Sequence, residues 1–262
     1  MGEQTFPNSA FNDQPAVRTI SVFNLRGGVG KTTLAANLAI AMAQLKNSQV
    51  GLMDIALNTL HCSLMLDLKP KAYLSSLADF PEKGINNEMM EEMLTRHPSG
   101  VALLAAAENP KEAELVTSEM VDLSWQQMTQ KFDTIVIDAG SHFNEISLTA
   151  IDRSDMILLV FSPELASVKS TVDAAQILIE IGIPASKMIA VANWIFPANP
   201  LLLQRIKPVL KMELAAEIPC DSLAFGKSIN TGRPLIIDNP TSAAAEEIRA
   251  LARTLSEIPV EK

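Results

Sequence analysis

The nine residues Leu25-Arg26-Gly27-Gly28-Val29-Gly30-Lys31-Thr32-Thr33 combine three glycines, a lysine and two threonine hydroxyls. Glycines at this density let successive backbone N–H groups turn toward one point, and a helix opening directly after them adds the positive end of its dipole. The result is a cradle for phosphate oxygens, expected here from Gly27, Gly28, Val29 and Gly30. Lys31 then reaches the β- and γ-phosphates, the Thr32 hydroxyl ligates Mg²⁺ and Thr33 touches the α-phosphate. The expected ligand is ATP with Mg²⁺. Two aspartates extend the set. Asp138 closes the apolar run Thr134-Ile135-Val136-Ile137 and is expected to hold the magnesium through a water, while Asp54 closes Val50 to Met53 and would face the phosphates. One strand-end aspartate alone commonly caps a turn, but two beside a glycine loop point to function.

Other reactive side chains form no second constellation. Of the three histidines, His61, His97 and His142, only His142 lies close behind Asp138, and a loop histidine is the simpler reading. Cys62 and Cys220 show neither disulfide nor metal-ligand spacing and read as buried free thiols.

These groups need a scaffold, and the sequence describes one. From Thr19 onward, short β-branched runs alternate with segments of helical period, which predicts an α/β fold: a doubly wound, mostly parallel sheet with helices on both faces. The expected strands are 20–24, 50–54, 101–105, 134–138, 156–161 and 188–193, with a short seventh near 213–217. Residues 31–45 place Leu34, Leu38, Met42 and Leu45 on one face of an amphipathic helix, and Ile248, Leu251, Ala252 and Leu255 repeat the pattern. The stretch 57–99 is the least regular, and its Met89, Met90 and Met93 read as core filling.

The chain has 262 residues, 48% of them hydrophobic, enough for one sizeable core. We expect a polar arm over 1–17, one domain over 18–257 and a short tail over 258–262. The net charge of −9 argues against a surface built to hold nucleic acid. The longest apolar run, 156–161, suits a buried strand rather than a membrane span, and the start of the chain has no signal-peptide character. A cytoplasmic protein is expected.

Taken together, the sequence resembles the deviant Walker A ATPases that include MinD, ParA and the pilus-assembly localisers CpaE and TadZ. Beyond the glycine loop the likeness rests on Val160-Phe161-Ser162-Pro163-Glu164, Val191-Ala192-Asn193, Ile218-Pro219-Cys220-Asp221 and Asn230-Thr231-Gly232-Arg233-Pro234. The resemblance implies that Asn193 reads the adenine edge and that the segment around Pro219 and Asp221 supplies contacts to the base. Residues 132–138, 159–167 and Pro110-Lys111-Glu112-Ala113-Glu114-Leu115 look most like the CpaE/TadZ branch.

Two departures qualify what the resemblance implies. The family's signature lysine is here Arg26, which keeps the charge and is expected to reach across a homodimer to the partner's phosphates. The family's Asp-x-Asp is here Asp54-Ile55-Ala56, and Ala56 neither positions a water nor supports a metal. With Lys31, Arg26 and Asp54 as the catalytic set, this implies tight ATP binding with slow hydrolysis.

The function implied is an ATP-dependent dimeric switch, closed as a nucleotide sandwich, that recruits proteins of a polar or envelope-bound assembly such as a pilus or secretion apparatus. Through those partners it would reach a pole or the inner membrane. Two alternatives are a scaffold that holds nucleotide without cycling, which Ala56 favours, and a partitioning ATPase moving on DNA. The latter needs a basic stripe, but Arg249, Arg253 and Lys262 stand among Glu246, Glu247, Glu257 and Glu261. Direct membrane insertion is not expected, since the tail lacks a basic amphipathic helix.

Overall fold

A central sheet carries the chain's most apolar runs, and helices are arranged on its two faces. The computed structural model describes residues 17–45, 48–79, 85–197 and 203–260. The expected arm over 1–17 lies outside these residues apart from Val17, as do the last two residues of the tail.

The strands are β1 (Arg18–Phe23), β2 (Val50–Asp54), β3 (Leu94–Arg96), β4 (Ala102–Ala105), β5 (Thr134–Asp138), β6 (Met156–Phe161), β7 (Met188–Asn193) and β8 (Glu213–Ile218). Their order across the sheet is β3-β4-β2-β5-β1-β6-β7-β8. All neighbours are parallel except β3 with β4, which run antiparallel. The doubly wound fold is as the sequence predicts. Strand β3 is an addition to the expected set.

Parallel strands covered on both faces must be apolar throughout, and β2, β5, β6 and β7 are buried at every position. Alternate residues feed two separate cores: Val22, Leu52, Val136 and Leu158 enter one, and Phe23, Met53, Ile137 and Leu159 the other. Gly51 in β2 admits Met128 and Phe132, whose side chains a Cβ there would meet.

The helices are α1 (Lys31–Ala43), α2 (Cys62–Met65), α3 (Asn87–Met93), α4 (Pro110–Ala113), α5 (Ser118–Met128), α6 (Glu145–Asp152), α7 (Leu165–Glu180), α8 (Leu203–Leu210), α9 (Ser222–Thr231), α10 (Leu235–Asp238) and α11 (Ala243–Glu257). Many begin where the sequence supplies an oxygen for free N–H groups. Thr117 caps α5, Ser242 caps α11, and Asn144 with Ser147 forms a reciprocal capping box on α6.

Helix α1 corrects an expectation. In place of one apolar face it is buried on nearly every side, from Leu34 through Met42, because α11 covers the side that the sheet does not. Helix α11 is amphipathic as expected, with Ile248, Leu251, Ala252 and Leu255 buried. Met90 and Met93 are core residues and Met89 packs against them. Of the two thiols, Cys62 is buried, whereas Cys220 is partly exposed, contrary to expectation.

Candidate functional site

In this fold the C-terminal ends of β1, β2, β5 and β7 lie along one edge of the sheet, where ligands of open α/β sheets bind. That edge carries Asn24, Asp54, Asp138 and Asn193. Asp54 and Asp138 are register partners on adjacent strands.

The loop between β1 and α1 needs left-handed backbone at Gly28 (φ 76°) and Gly30 (φ 88°). Gly30 has a further reason to be glycine: a Cβ there would run into Asn193 Nδ2. The Asn193 amide donates to the Val29 carbonyl at 2.8 Å, so the end of β7 props the loop open. From below, Asn24 donates to the Val160 carbonyl and to Thr171 Oγ1, and its Oδ1 accepts from the Arg26 N–H at 3.3 Å. Asn37 in α1 donates to the Thr33 carbonyl and accepts from the Ile236 N–H. Asn24 and Asn37 were not singled out from sequence, since an asparagine in an apolar run carries no local signal of its partner.

Lys31 folds back over the loop and donates to the Arg26 carbonyl at 2.6 Å. Its ammonium is buried, which pulls its pKa down to about 8 against the opposing pull of Asp138. Arg26 itself is half-exposed, with its guanidinium 3.4 Å from Glu164 at the start of α7.

Both aspartates are inaccessible to solvent, at 2% exposure for Asp54 and 0% for Asp138. Asp54 Oδ1 accepts from the Ala56 N–H at 3.1 Å and Oδ2 from the Cys62 N–H at 3.0 Å. Asp138 accepts from the Gly140 N–H, and the Thr32 hydroxyl bonds to it. Burial raises both carboxyl pKa values, and the Asp138 charge raises that of Asp54 further. The side chains of Lys31, Asp54, Asp138 and Thr32 therefore form one electrostatic unit.

Above this unit opens a cavity of about 570 Å³. Gly27, Gly28, Gly30, Lys31, Thr32 and Thr33 line its polar part, with Ala56, Thr59, His61, Gly140 and Ser141 opposite. Asn193, Trp194, Ile195, Asp221, Phe225 and Ile229, from the ends of β7 and β8 and from α9, give a more apolar wall. The volume and the mix of an apolar wall with a few directed polar groups are those of a small-molecule site.

Of the residues expected at the site, Gly27, Gly28, Gly30, Lys31, Thr32, Thr33, Asn193 and Asp221 line this cavity; Val29 is buried behind the loop, Arg26 lies outside the lining, and Asp54 and Asp138 are buried out of its reach. Pro219 faces a neighbouring groove with Trp194, Glu217 and Glu247. Asp221 Oδ1 accepts from the Ala224 N–H and so caps α9. His142 pairs with Asn58 at 3.0 Å beside a smaller hollow.

A family described as an AAA domain matches residues 17–181. The septum site-determining protein MinD of Synechocystis sp. is 28% identical over 246 residues, covering 91% of this chain and 89% of its own. A ParA family ATPase from Chlorobium tepidum superposes with a TM-score of 0.83 at 19% identity, over 92% of this chain and 99% of its own. A MinD from Pyrococcus horikoshii, solved with Mg-ADP, gives a TM-score of 0.79 at 21% identity, over 92% and 96%.

Proposed function

The chain belongs to the AAA-domain family and is a P-loop ATPase of the MinD/ParA superfamily, and from that premise we propose that it is an ATP-binding dimeric switch with slow hydrolysis that recruits a protein assembly. The observation that carries this reading is the cavity itself. A glycine loop with a buried lysine lines it, two buried carboxylates lie close beneath, and among the described residues no acid lies opposite the loop.

The residues present suit a magnesium nucleotide. Gly27 to Gly30 offer backbone N–H groups to phosphate oxygens, and Lys31 exchanges its bond to the Arg26 carbonyl for one to the β- and γ-phosphates. Thr32 and Asp138 would hold Mg²⁺, which supplies charge neutralisation at the triphosphate; both present oxygen, the donor that this ion prefers. Trp194, Ile195 and Phe225 give the base an apolar wall. Asn193 keeps its Oδ1 and one N–H for an adenine edge after bonding Val29.

Slow turnover follows from what stands opposite. Ala56 presents a methyl group to the cavity beside Gly140, whose own backbone adopts φ 72°. Among the described residues the one acid lining the cavity is Asp221, and it already caps α9. A water at the γ-phosphate thus lacks a carboxylate to orient it.

For Arg26 we propose a role across a homodimer. Its half-exposed guanidinium, held only by a surface pair with Glu164, is free to swing toward a partner's triphosphate. The branch resembling CpaE and TadZ makes a pilus or secretion apparatus the first assembly to examine. Among the described residues no helix is long and apolar enough to cross a membrane, so attachment to an envelope would come through partners. Motion on DNA is a poorer fit, because the Arg249 guanidinium is engaged by the carbonyls of Pro240 and Ile236.

Ala56 also favours a second reading, a scaffold that keeps its nucleotide. The oligomeric state with ATP, with ADP and without nucleotide separates the two. A switch dimerises with ATP and returns to monomer with ADP, whereas a scaffold ignores the γ-phosphate. Rapid Mg²⁺-dependent hydrolysis by the isolated protein would overturn both.

A further inference from the structure

Beneath the phosphate loop, Cys62 at the start of α2 is fully buried and points its sulfur between the two strand-end carboxylates. Its Sγ lies 3.9 Å from Asp138 Oδ2, and one donor atom from each of Asp54, Cys62 and Asp138 falls within 4.8 Å of the other two. We propose that Asp54, Cys62 and Asp138 form a binding site for a thiophilic divalent cation of the Zn²⁺ or Cd²⁺ class.

Three arguments converge on this. The first is donor geometry. A tetrahedral zinc with bonds of about 2.3 Å to sulfur and about 2.0 Å to oxygen separates those donors by about 3.5 Å. The Cys62–Asp138 pair at 3.9 Å needs a few tenths of an ångström of closure, and the other donor pairs, all within 4.8 Å, close on the ion with it.

The second is charge. Asp54 and Asp138 are register partners buried side by side, and the one cation against them, Lys31, already donates to the Arg26 carbonyl. Two carboxyl groups buried side by side face a single lysine, and a divalent ion that displaces their protons satisfies both. The carboxylates remain able to ligate it. Asp54 uses one lone pair on each oxygen for backbone N–H groups and keeps the others.

The third is donor chemistry. A thiol contributes nothing to Mg²⁺, which requires oxygen, whereas thiolate with two carboxylates selects the softer ions. On binding, the S–H proton leaves to water as the sulfur–metal bond forms. Ala56 and Gly140, whose N–H groups bond the two carboxylates, also line the cavity, so the site adjoins it.

The binding claim is independent of the proposed function. Its consequence rests on that reading: an ion held here ties up Asp138 and competes with Mg-ATP, so metal load would silence the switch.

The test adds CdCl₂ to nucleotide-free protein and reads the ultraviolet sulfur-to-cadmium charge-transfer band together with calorimetric stoichiometry. Wild type and Cys220→Ser should bind one equivalent and show the band. Cys62→Ser and Cys62→Ala should lose the band and bind at least about tenfold more weakly. Absence of the band in wild type, its survival in Cys62→Ser, or its loss in Cys220→Ser alone would overturn the site. Should the Cys62 variants fail to fold, Asp54→Asn keeps both shape and thiol. A tenfold loss of cadmium affinity there supports the site, and unchanged affinity refutes it. Displacement of the band by Mg-ATP reads the competition; a band that ignores Mg-ATP removes the regulatory consequence and leaves the site standing.

Discussion

Two loops flank Asp138, one leaving β1 and the other leaving β2, and they have diverged in opposite directions. The β1 loop is complete: three glycines, a buried lysine and two threonines, braced by Asn24 and Asn193. The β2 loop offers the cavity Thr59 and His61 but no carboxylate. Where the resemblance leads one to expect a second acid it has Ala56, and where its chain turns back under the sheet it has a buried thiol, Cys62. On the proposed reading, binding and turnover fall to different loops, and one could be weakened without the other.

The largest effect should come from the intact side. Lys31→Ala removes the buried cation that faces Asp138, and ATP affinity should fall at least about 100-fold in equilibrium dialysis. Retained affinity would mean that the backbone cradle alone suffices. Gly30→Ala attacks the same loop through shape: a Cβ at φ 88° collides with Asn193, and about 2 kcal/mol of stability should be lost in urea denaturation, along with nucleotide binding.

On the other loop, Ala56→Asp should raise steady-state hydrolysis about tenfold while leaving ATP affinity within about threefold. An unchanged rate would show that this position is not what limits turnover, and the contrast between the loops would then collapse.

A smaller effect concerns pH in the absence of metal and nucleotide. The Asp54–Asp138 pair titrates above the ordinary carboxylate value of 3.8, so the folded protein holds protons that the unfolded chain releases. Stability should therefore be fully present below about pH 4 and decline toward neutrality, by about 1 kcal/mol or more. Lys31 acts in the opposite sense. Depressed to about 8 from 10.5, it is deprotonated earlier in the folded state, so its penalty is relieved between those values. The urea midpoint should thus fall from pH 5 to pH 7.5 and recover in part above pH 8. Mg-ATP should flatten the first decline.

The smallest effect separates Arg26 from its resting partner. Glu164→Gln breaks an exposed ion pair and should change stability by no more than about 0.5 kcal/mol, while favouring the ATP-bound dimer if that pair holds Arg26 back. Analytical ultracentrifugation with ATP reads the shift.

The contrast between the loops also sorts what the sequence made legible. The strands ending in Asp54 and Asp138 announce themselves as apolar runs cut off by a charge, and the glycine loop by composition alone. Strand β3 did not, because it is three residues long, sits at the edge and shows a single buried leucine followed by Thr95 and Arg96. Helix α1 reads as amphipathic because its local pattern says nothing of α11, about 200 positions away, which covers its outer side. The approach of Cys62 to Asp138 spans 76 positions and has no local correlate. Sequence reveals groups that act through their neighbours in the chain and hides those that act through neighbours in space.

The bracing of the phosphate loop also sets where the working unit ends. The family match stops at residue 181, yet the amide that holds Val29 belongs to Asn193, and the N–H that meets Asn37 belongs to Ile236. Helix α1, buried on nearly every side, packs on α11 more than on any other single element. The segment recognised as a domain is therefore shorter than the segment that folds: cut at its boundary, the chain would keep every phosphate-facing residue and lose the backing that gives them their shape.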